Sequence, residues 1–417
     1  MQNKLHIGLF GFGCVGHGLY HVLQQSSGIP AEITKVCIKN PGKKRDADPA
    51  LFTTHKLEIL NDPLIQVVVE LIDDADEAYA IVKAALLNGK AVVTANKKMM
   101  AEHFNELYEL QQSTGIPILY EGAVCGAIPI IRSLEEYYDN DTVNAIRGIF
   151  NGTSNYILTK TMEENRTFKD VLKEAQQLGF AETNPALDIQ ATDAKYKLII
   201  LMAHAFGIVV KPDQVLNIGI EHLHVNDLLY ARENGYVIKQ VPQVYKSGST
   251  LHAYVLPQLI SERDGLSRVN NEFNAVQVNA TFLDHQTFFG RGAGSLPTGA
   301  AVLSDVSALT YHYRYGYKKL KQDHGLTFSN NTRIKAYIRF NDAEDLNLLQ
   351  VKHIEETYRS KTHNYVIGEV EIARLMELNL NERSYLFIAR IGEVESTDSP
   401  NESFGLKELL ESDLVLN

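Results

Sequence analysis

Four ionisable residues, Glu182, Asp188, Asp193 and Lys197, precede a nearly uncharged apolar segment, LIILMAHAF, at residues 198–206. Asp193 and Lys197 are four apart, so a helix places them one above the other on the same face. Acids beside a lysine are the groups of proton transfer and of binding a charged small molecule. A charged pair at the mouth of a buried helix loses hydration, and chains keep such charges inside when they are paired or used. The plain alternative is a surface salt bridge on the first turn of a core helix. The two upstream carboxylates, and Pro185 holding the approach extended, favour a site.

A second constellation lies at the start of the chain. The apolar strand Lys4–Phe10 runs into Gly11, Phe12, Gly13, Cys14, Val15 and Gly16, a G-x-G-x-x-G turn followed by a helical pattern at Leu19, Val22 and Leu23. In that setting Gly11 permits the tight turn, Gly13 lets the backbone approach a pyrophosphate, and Gly16 lets the helix pack on the strand. The helix N-terminus adds a positive end for phosphates. Glu32–Lys39 reads as the second strand of a β-α-β frame. An NAD site carries an acid at the end of that strand, whereas a cation accommodates a 2′-phosphate. Here the strand ends in Lys39-Asn40-Pro41-Gly42-Lys43-Lys44-Arg45. NADP is therefore expected ahead of NAD, with Lys39 as the first candidate to read the phosphate. Further on, the strand of AVVTANKK brings Thr94, Asn96 and Lys97 to the C-terminal sheet edge, where open α/β sheets place ligands. Glu121 stands among small residues that let the backbone approach a ligand or cation.

The elements that must position these groups form an α/β chain. With 417 residues, 45% hydrophobic and 22% charged, two or three domains are expected. Residues 1–128 read as a Rossmann-type dinucleotide-binding domain, completed by about 290–322. Residues 129–289 read as an α+β substrate domain and 330–417 as a small C-terminal α+β domain. In the C-terminal part the pattern predicts strand Ile334–Phe340, helix Leu346–Tyr358, strand Asn364–Ile372, a helix, and strand Tyr385–Ile391; residues 392–404 read as a loop. A helix is predicted after Pro297, with Ser295 and Thr298 as possible caps. The net charge of −11 argues against a nucleic-acid partner, and no apolar run is long enough to span a membrane. Cys14, Cys37 and Cys125 lack metal-type spacing and read as reduced thiols. The early first strand leaves no room for a signal peptide, so the cytoplasm is expected.

Together, GFGCVGHG, VVVELI, VVTANKKMMA, NGTSNYIL, NPALDIQATDAKYK and GRGAGSLPTGAAVLSDV resemble homoserine dehydrogenase, in that family's order, over about residues 5–320. With no aspartate-kinase region ahead of the glycine turn, the resemblance is to the monofunctional form. It implies NAD(P)-dependent interconversion of L-aspartate 4-semialdehyde and L-homoserine, on the route to threonine, methionine and isoleucine. It assigns Glu182, Asp188 and Asp193, with Gly179, to the substrate, Lys197 to the proton, Lys97 to a place between cofactor and substrate, and Gly292 to the cofactor. It also implies a sodium or potassium ion held by Glu121 and the carbonyls of Val124, Gly126 and Ile128, and a homodimer or dimer-based oligomer paired through the second domain. A C-terminal domain in this position is ACT-like. The chain departs from the family at Asp73-Asp74, where glycines are usual, and at Cys125 and Ala127 in a glycine run. It also lacks the Asp-x-Pro-Gly turn after the first ACT strand, having Phe340-Asn341-Asp342-Ala343-Glu344 instead, so the domain reads as a diverged ACT fold without ligand or as an unrelated cap used in assembly, and the sequence assigns no threonine site. Cys125 reads as non-catalytic and His204 as a satisfied core histidine. The alternatives are another amino-acid dehydrogenase and a non-catalytic dinucleotide-binding regulator.

Overall fold

The computed structural model describes residues 4–322, 325–361, 363–378, 380, 383 and 385–392. Two sheets organise it. The first contains β1 (Leu5–Phe10), β2 (Ala31–Cys37), β3 (Phe52–Thr53), β4 (Val67–Glu70), β5 (Ala91–Thr94) and β6 (Ile118–Leu119). All pairings are parallel, in the order β3-β2-β1-β4-β5-β6. This is the doubly wound order whose switch point lies between the first and fourth strands. Its central strands are apolar without alternation because helices cover both faces: Val67, Val68 and Val69 are almost fully buried.

The second sheet contains β7 (Val143–Ile149), β8 (Leu216–Asn217), β9 (Tyr236–Ser247), β10 (Thr250–Ser261), β11 (Phe273–Ala280), β12 (Asp284–Arg291), β13 (Thr327–Phe328), β14 (Arg333–Phe340), β15 (Lys352–Arg359), β16 (Asn364–Glu371) and β17 (Phe387–Ile391). Its main path runs β12-β11-β7-β9-β10-β17-β14-β16-β15, with β8 and β13 also paired to β10. The last four strands have the 4-1-3-2 order of a βαββαβ unit. This unit continues the second sheet, β17 lying parallel to β10 with Gln258 opposite Arg390 and Leu259 opposite Ile391.

Two sequence expectations are corrected here. Residues 352–358, expected within a helix, belong to β15, Lys352–Arg359. The helix is only Ala343–Leu349, ended by Gln350 in the left-handed region at φ 53°; the chain then pairs antiparallel with β16. The later glycine-rich region does form a helix, but at Ser295–Leu309, and neither Ser295 nor Thr298 caps it: Gly294 occupies the cap position without a side-chain bond. Ser295 Oγ instead donates to the Cys14 carbonyl at 2.7 Å, and Thr298 is buried. The stretch expected as a loop at 392–404 lies outside the described residues beyond Gly392, as does the rest of the C-terminal domain to Asn417.

Helix Ser295–Leu309 returns to the first sheet and packs along the first helix, Cys14–Gln25. The backbones nearly touch. A Cβ on Gly18 would lie 1.9 Å from the Ser295 carbonyl oxygen, and one on Gly299 2.5 Å from the Leu19 nitrogen. Gly18→Val should therefore destabilise the protein by about 1–3 kcal/mol or more through overpacking. A lower urea midpoint reads this out, and an unchanged midpoint refutes the close docking.

Candidate active site

Helix Thr192–Phe206 carries both lead residues. It begins after Ala191, held at φ 65°, and ends at Gly207 at φ 68°. From Ala194 to Phe206 it is buried on nearly every side, so Asp193 and Lys197 enter the interior with it. Lys197 Nζ donates to Asp193 Oδ2 at 2.7 Å and to the Phe150 carbonyl at 2.7 Å. These two side chains are 8% and 5% exposed. The other Asp193 oxygen lies 3.1 Å from Lys97 Nζ. Asp193 is thus shared by two lysines from different sheets' surroundings, one on the helix and one on the edge of the first sheet.

Lys97 reaches this point because Asn96 caps its helix, accepting from Met99 N at 3.0 Å. Its side chain remains 41% exposed, so it faces open space where Lys197 does not. Asn151 completes the cluster, donating to Asp188 Oδ1 at 2.7 Å and to Asp193 Oδ2 at 2.9 Å. Asn151 is absent from the sequence assignments. Its signal was present in NGTSNYIL, where an asparagine precedes a helix and accepts from Ser154 N at 2.8 Å as its cap.

Burial pushes the Asp193 carboxyl up, but Lys197, Lys97 and Asn151 outweigh it and hold the group well below the usual aspartate range. Lys97 is raised, chiefly by Asp193 against the opposing effect of burial, with smaller help from Asp188 and Glu182. Asp188 is raised by burial and then by Asp193, with Asn151 opposing. Three acids therefore surround two lysines, and the ionised form of Asp188 is short of positive charge. Glu182 is exposed and Gly179 ends the preceding helix at φ 78°.

At the other constellation, Gly11 adopts φ 90° with the Leu71 carbonyl oxygen 2.5 Å from where a Cβ would stand, and Gly16 is closed by the Gly11 carbonyl at 2.4 Å. Gly13 has no heavy atom within 4 Å of its would-be Cβ. That open face fits a phosphate approaching the backbone at a helix N-terminus. A cavity of about 710 Å³ begins there, lined by Phe12, Gly13, Cys14, His17, Lys43, Lys44, Arg45, Asp46 and Ser295. The cations on its wall are Lys43, Lys44 and Arg45, while Lys39 is exposed beyond the end of β2. Val15 sits half-buried on the first helix. Thr94 is fully buried, donating to Glu70 Oε2 at 2.6 Å and accepting from Asn96 N at 3.0 Å. Gly292 lies against Gly126 and Asn274. Asp73 and Asp74 are exposed, and Asp74 caps the next helix by accepting from Glu77 N at 3.0 Å, a structural role for the second of the two departing acids.

Glu121 is buried, its carboxylate accepting from Ile131 N at 2.8 Å and Arg132 N at 2.9 Å. Its own N–H donates to Asp305 Oδ2 at 2.8 Å, and Arg132 Nη2 bonds Asp305 Oδ1 at 3.0 Å. Burial and then Asp305 push Glu121 up to about 7; burial pushes Asp305 up to about 6 despite Arg132. Two buried acids share one arginine. Cys125 and Gly126 follow at φ 53° each, and Glu121, Gly126 and Ile128 line one cavity with Arg132. Val124 is fully buried behind it. His204 is also fully buried, bonded through Nε2 to Tyr120 Oη at 2.8 Å and through Nδ1 to Glu135 Oε1 at 2.6 Å. It is a satisfied core histidine, as its place in an apolar helix suggested.

Among the described residues no helix is long and apolar enough to cross a membrane. Two family models match the chain. The one for the NAD-binding domain of homoserine dehydrogenase covers residues 11–121, and the one for homoserine dehydrogenase itself covers residues 129–307. The homoserine dehydrogenase of Bacillus subtilis is 37% identical over 324 residues, 76% of this chain and 75% of that protein. The crystal structure of a homoserine dehydrogenase from Thiobacillus denitrificans superposes with a TM-score of 0.81 at 30% identity, covering 94% of this chain and 100% of that one. A hyperthermophilic archaeal homoserine dehydrogenase in complex with NADPH matches with a TM-score of 0.64 at 25% identity, over 75% of this chain and 99% of that one. A glycine turn open to a dinucleotide, a buried acid shared by two lysines, and relatives spanning most of the chain agree: this protein belongs to the homoserine dehydrogenase family of nicotinamide-dependent oxidoreductases.

Proposed function

We propose that the chain interconverts L-aspartate 4-semialdehyde and L-homoserine with NADP, on the route to threonine, methionine and isoleucine, and that Lys197 is its acid/base. The observation that carries this reading is the sharing of Asp193 between Lys197 and Lys97. The bound cofactor supplies hydride to the aldehyde carbon. Lys197, held by Asp193 and the Phe150 carbonyl, gives its proton to the aldehyde oxygen, and in the reverse direction takes the hydroxyl proton. Lys97, partly exposed, stands between cofactor and substrate. Asp188 and Glu182, with Gly179 at the preceding turn, receive the substrate ammonium, whose charge offsets the surplus of acids. NADP is favoured over NAD by Lys39 and by Lys43, Lys44 and Arg45 on the cavity wall, with the NADPH-bound archaeal relative as support. Nicotinamide absorbance with homoserine and each cofactor tests both claims. Reduction by homoserine with a higher kcat/KM for NADP is expected; no turnover of homoserine overturns the activity, and equal or better use of NAD overturns the preference.

We further place a sodium or potassium ion against Glu121 and the carbonyls of Val124, Gly126 and Ile128. Oxygen ligands suit such ions, and a cation there offsets the two acids that Arg132 alone does not balance. Exchanging potassium chloride for choline chloride at constant ionic strength should lower Tm in the native protein and leave Glu121→Gln unchanged; an equal Tm in both salts refutes the site. The same reading has the chain as a cytoplasmic homodimer joined through the second domain. Free Cys14, Cys37 and Cys125 and the exposed Phe282 and Phe289 at the β12 edge of that sheet support it.

A further inference from the structure

The first helix carries a histidine pair at the edge of the dinucleotide cavity, where His17 is on the wall and His21 is not. His17 and His21 are one turn apart, so both imidazoles project from the same face. Their Nε2 atoms are 3.0 Å apart and their rings meet edge to face, with centroids 4.2 Å apart. The loop after β2 brings a third donor: one ring nitrogen of each histidine and one carboxylate oxygen of Asp46 all lie within 4.8 Å of one another. The histidines are half-buried and Asp46 is exposed.

Two neutral imidazole nitrogens this close can share one proton, leaving the carboxylate beside them without a role in that bond. A tetrahedral ion held at about 2.0–2.1 Å would separate its nitrogen ligands by about 3.3 Å, a few tenths of an ångström from the spacing already present. Imidazole donors select first-row transition metals over calcium or magnesium, and one carboxylate adds the negative charge that favours a dication. We propose that His17, His21 and Asp46 form a binding site for a zinc-class metal ion, with three protein ligands and an open fourth position. The site is independent of the catalytic lysines.

Charge and mechanics set its character. Lys43, Lys44 and Arg45 line the same cavity as His17 and Asp46 and oppose a dication, so the site is weaker than a buried structural zinc centre. The loop is tied to itself, Arg45 donating to the carbonyls of Lys43 at 2.6 Å and Asn40 at 2.8 Å. An ion bridging Asp46 to the two histidines therefore fastens the whole basic loop to the first helix. Lys43, Lys44 and Arg45 are also three consecutive sites for trypsin.

Titration calorimetry with zinc chloride on the untagged full-length protein tests the ligand set. One zinc per chain is expected, with affinity lower by about tenfold or more in His21→Asn, since losing a direct ligand costs at least what losing a supporting contact does. His21 is not on the wall of the dinucleotide cavity, so unchanged homoserine oxidation by that variant confirms that it is folded. Zinc should also slow tryptic cleavage after Lys43, Lys44 and Arg45, read by mass spectrometry, in the native protein and not in His21→Asn. Absence of binding, equal affinity in the variant, or cleavage indifferent to zinc overturns the three-residue site.

Discussion

Lys197→Ala is expected to abolish measurable turnover while the protein still binds NADP. General acid–base groups contribute about 10²–10⁴-fold, and this lysine is the better placed of the two to be one. Its ammonium is buried and fixed by two short bonds, to Asp193 and to the Phe150 carbonyl. The dinucleotide turn lies on another element, at Gly11–Gly16, and makes no use of it. Asp193 keeps Lys97 as a partner in the variant, so the fold should survive. Steady-state kinetics and a dinucleotide titration separate the two effects; near-normal kcat sinks the assignment. Lys97→Ala should give a mixed loss in kcat and KM, because that side chain is partly exposed and, in the proposed function, stands between cofactor and substrate.

Asp193→Asn should lose as much activity and, unlike Lys197→Ala, much stability. The substitution preserves shape and removes the one charge that holds both lysines. Breaking a buried ion pair from one side costs about 3–5 kcal/mol, and the lower end is expected because Asp188 remains near. The pH dependence has a definite sign. Asp193 is held below its unfolded value, so it contributes stability that is fully present above the ordinary aspartate pKa of about 3.9 and is lost as pH falls below it. Urea unfolding at about pH 7 and about pH 3 should therefore show a smaller acid loss in Asp193→Asn than in the native protein. An identical acid limb in both proteins would mean that the carboxylate is not held by the lysines.

The parts of this molecule that were legible in the sequence are those whose signal is local. A strand entering a glycine turn, an apolar parallel strand at Val67–Val69, and an acid and lysine four apart on a core helix each announce themselves within a few residues. What depended on distant partners was not legible. Asn151 meets Asp188 and Asp193 from about 40 positions away, and its own segment shows only a helix cap. The strand Lys352–Arg359 does not announce itself, because all eight of its residues are exposed and it carries no buried face to set a period of two. Ser295 reads as a cap from its neighbours, yet its hydroxyl is taken by Cys14, 281 positions earlier. The sequence puts Lys39 first among the cations after β2, yet the cavity wall carries Lys43, Lys44 and Arg45, because the fold of the loop over the glycine turn depends on contacts outside its own segment.

The contact between helix Ser295–Leu309 and the first helix also dictates an order of events during synthesis. The cofactor sheet has all six of its strands once residue 119 has emerged, but the helix that seals its first glycine helix arrives only with residue 309. At about 5–20 residues per second the ribosome needs roughly 10–40 s to bridge that interval. Throughout it, Gly18 and Leu19 present an uncovered groove on a nascent half-built domain while the whole substrate domain is being made. Late closure of this kind makes the finished N-terminal domain a reporter of translation past residue 309: a chain arrested before the return helix cannot seal it.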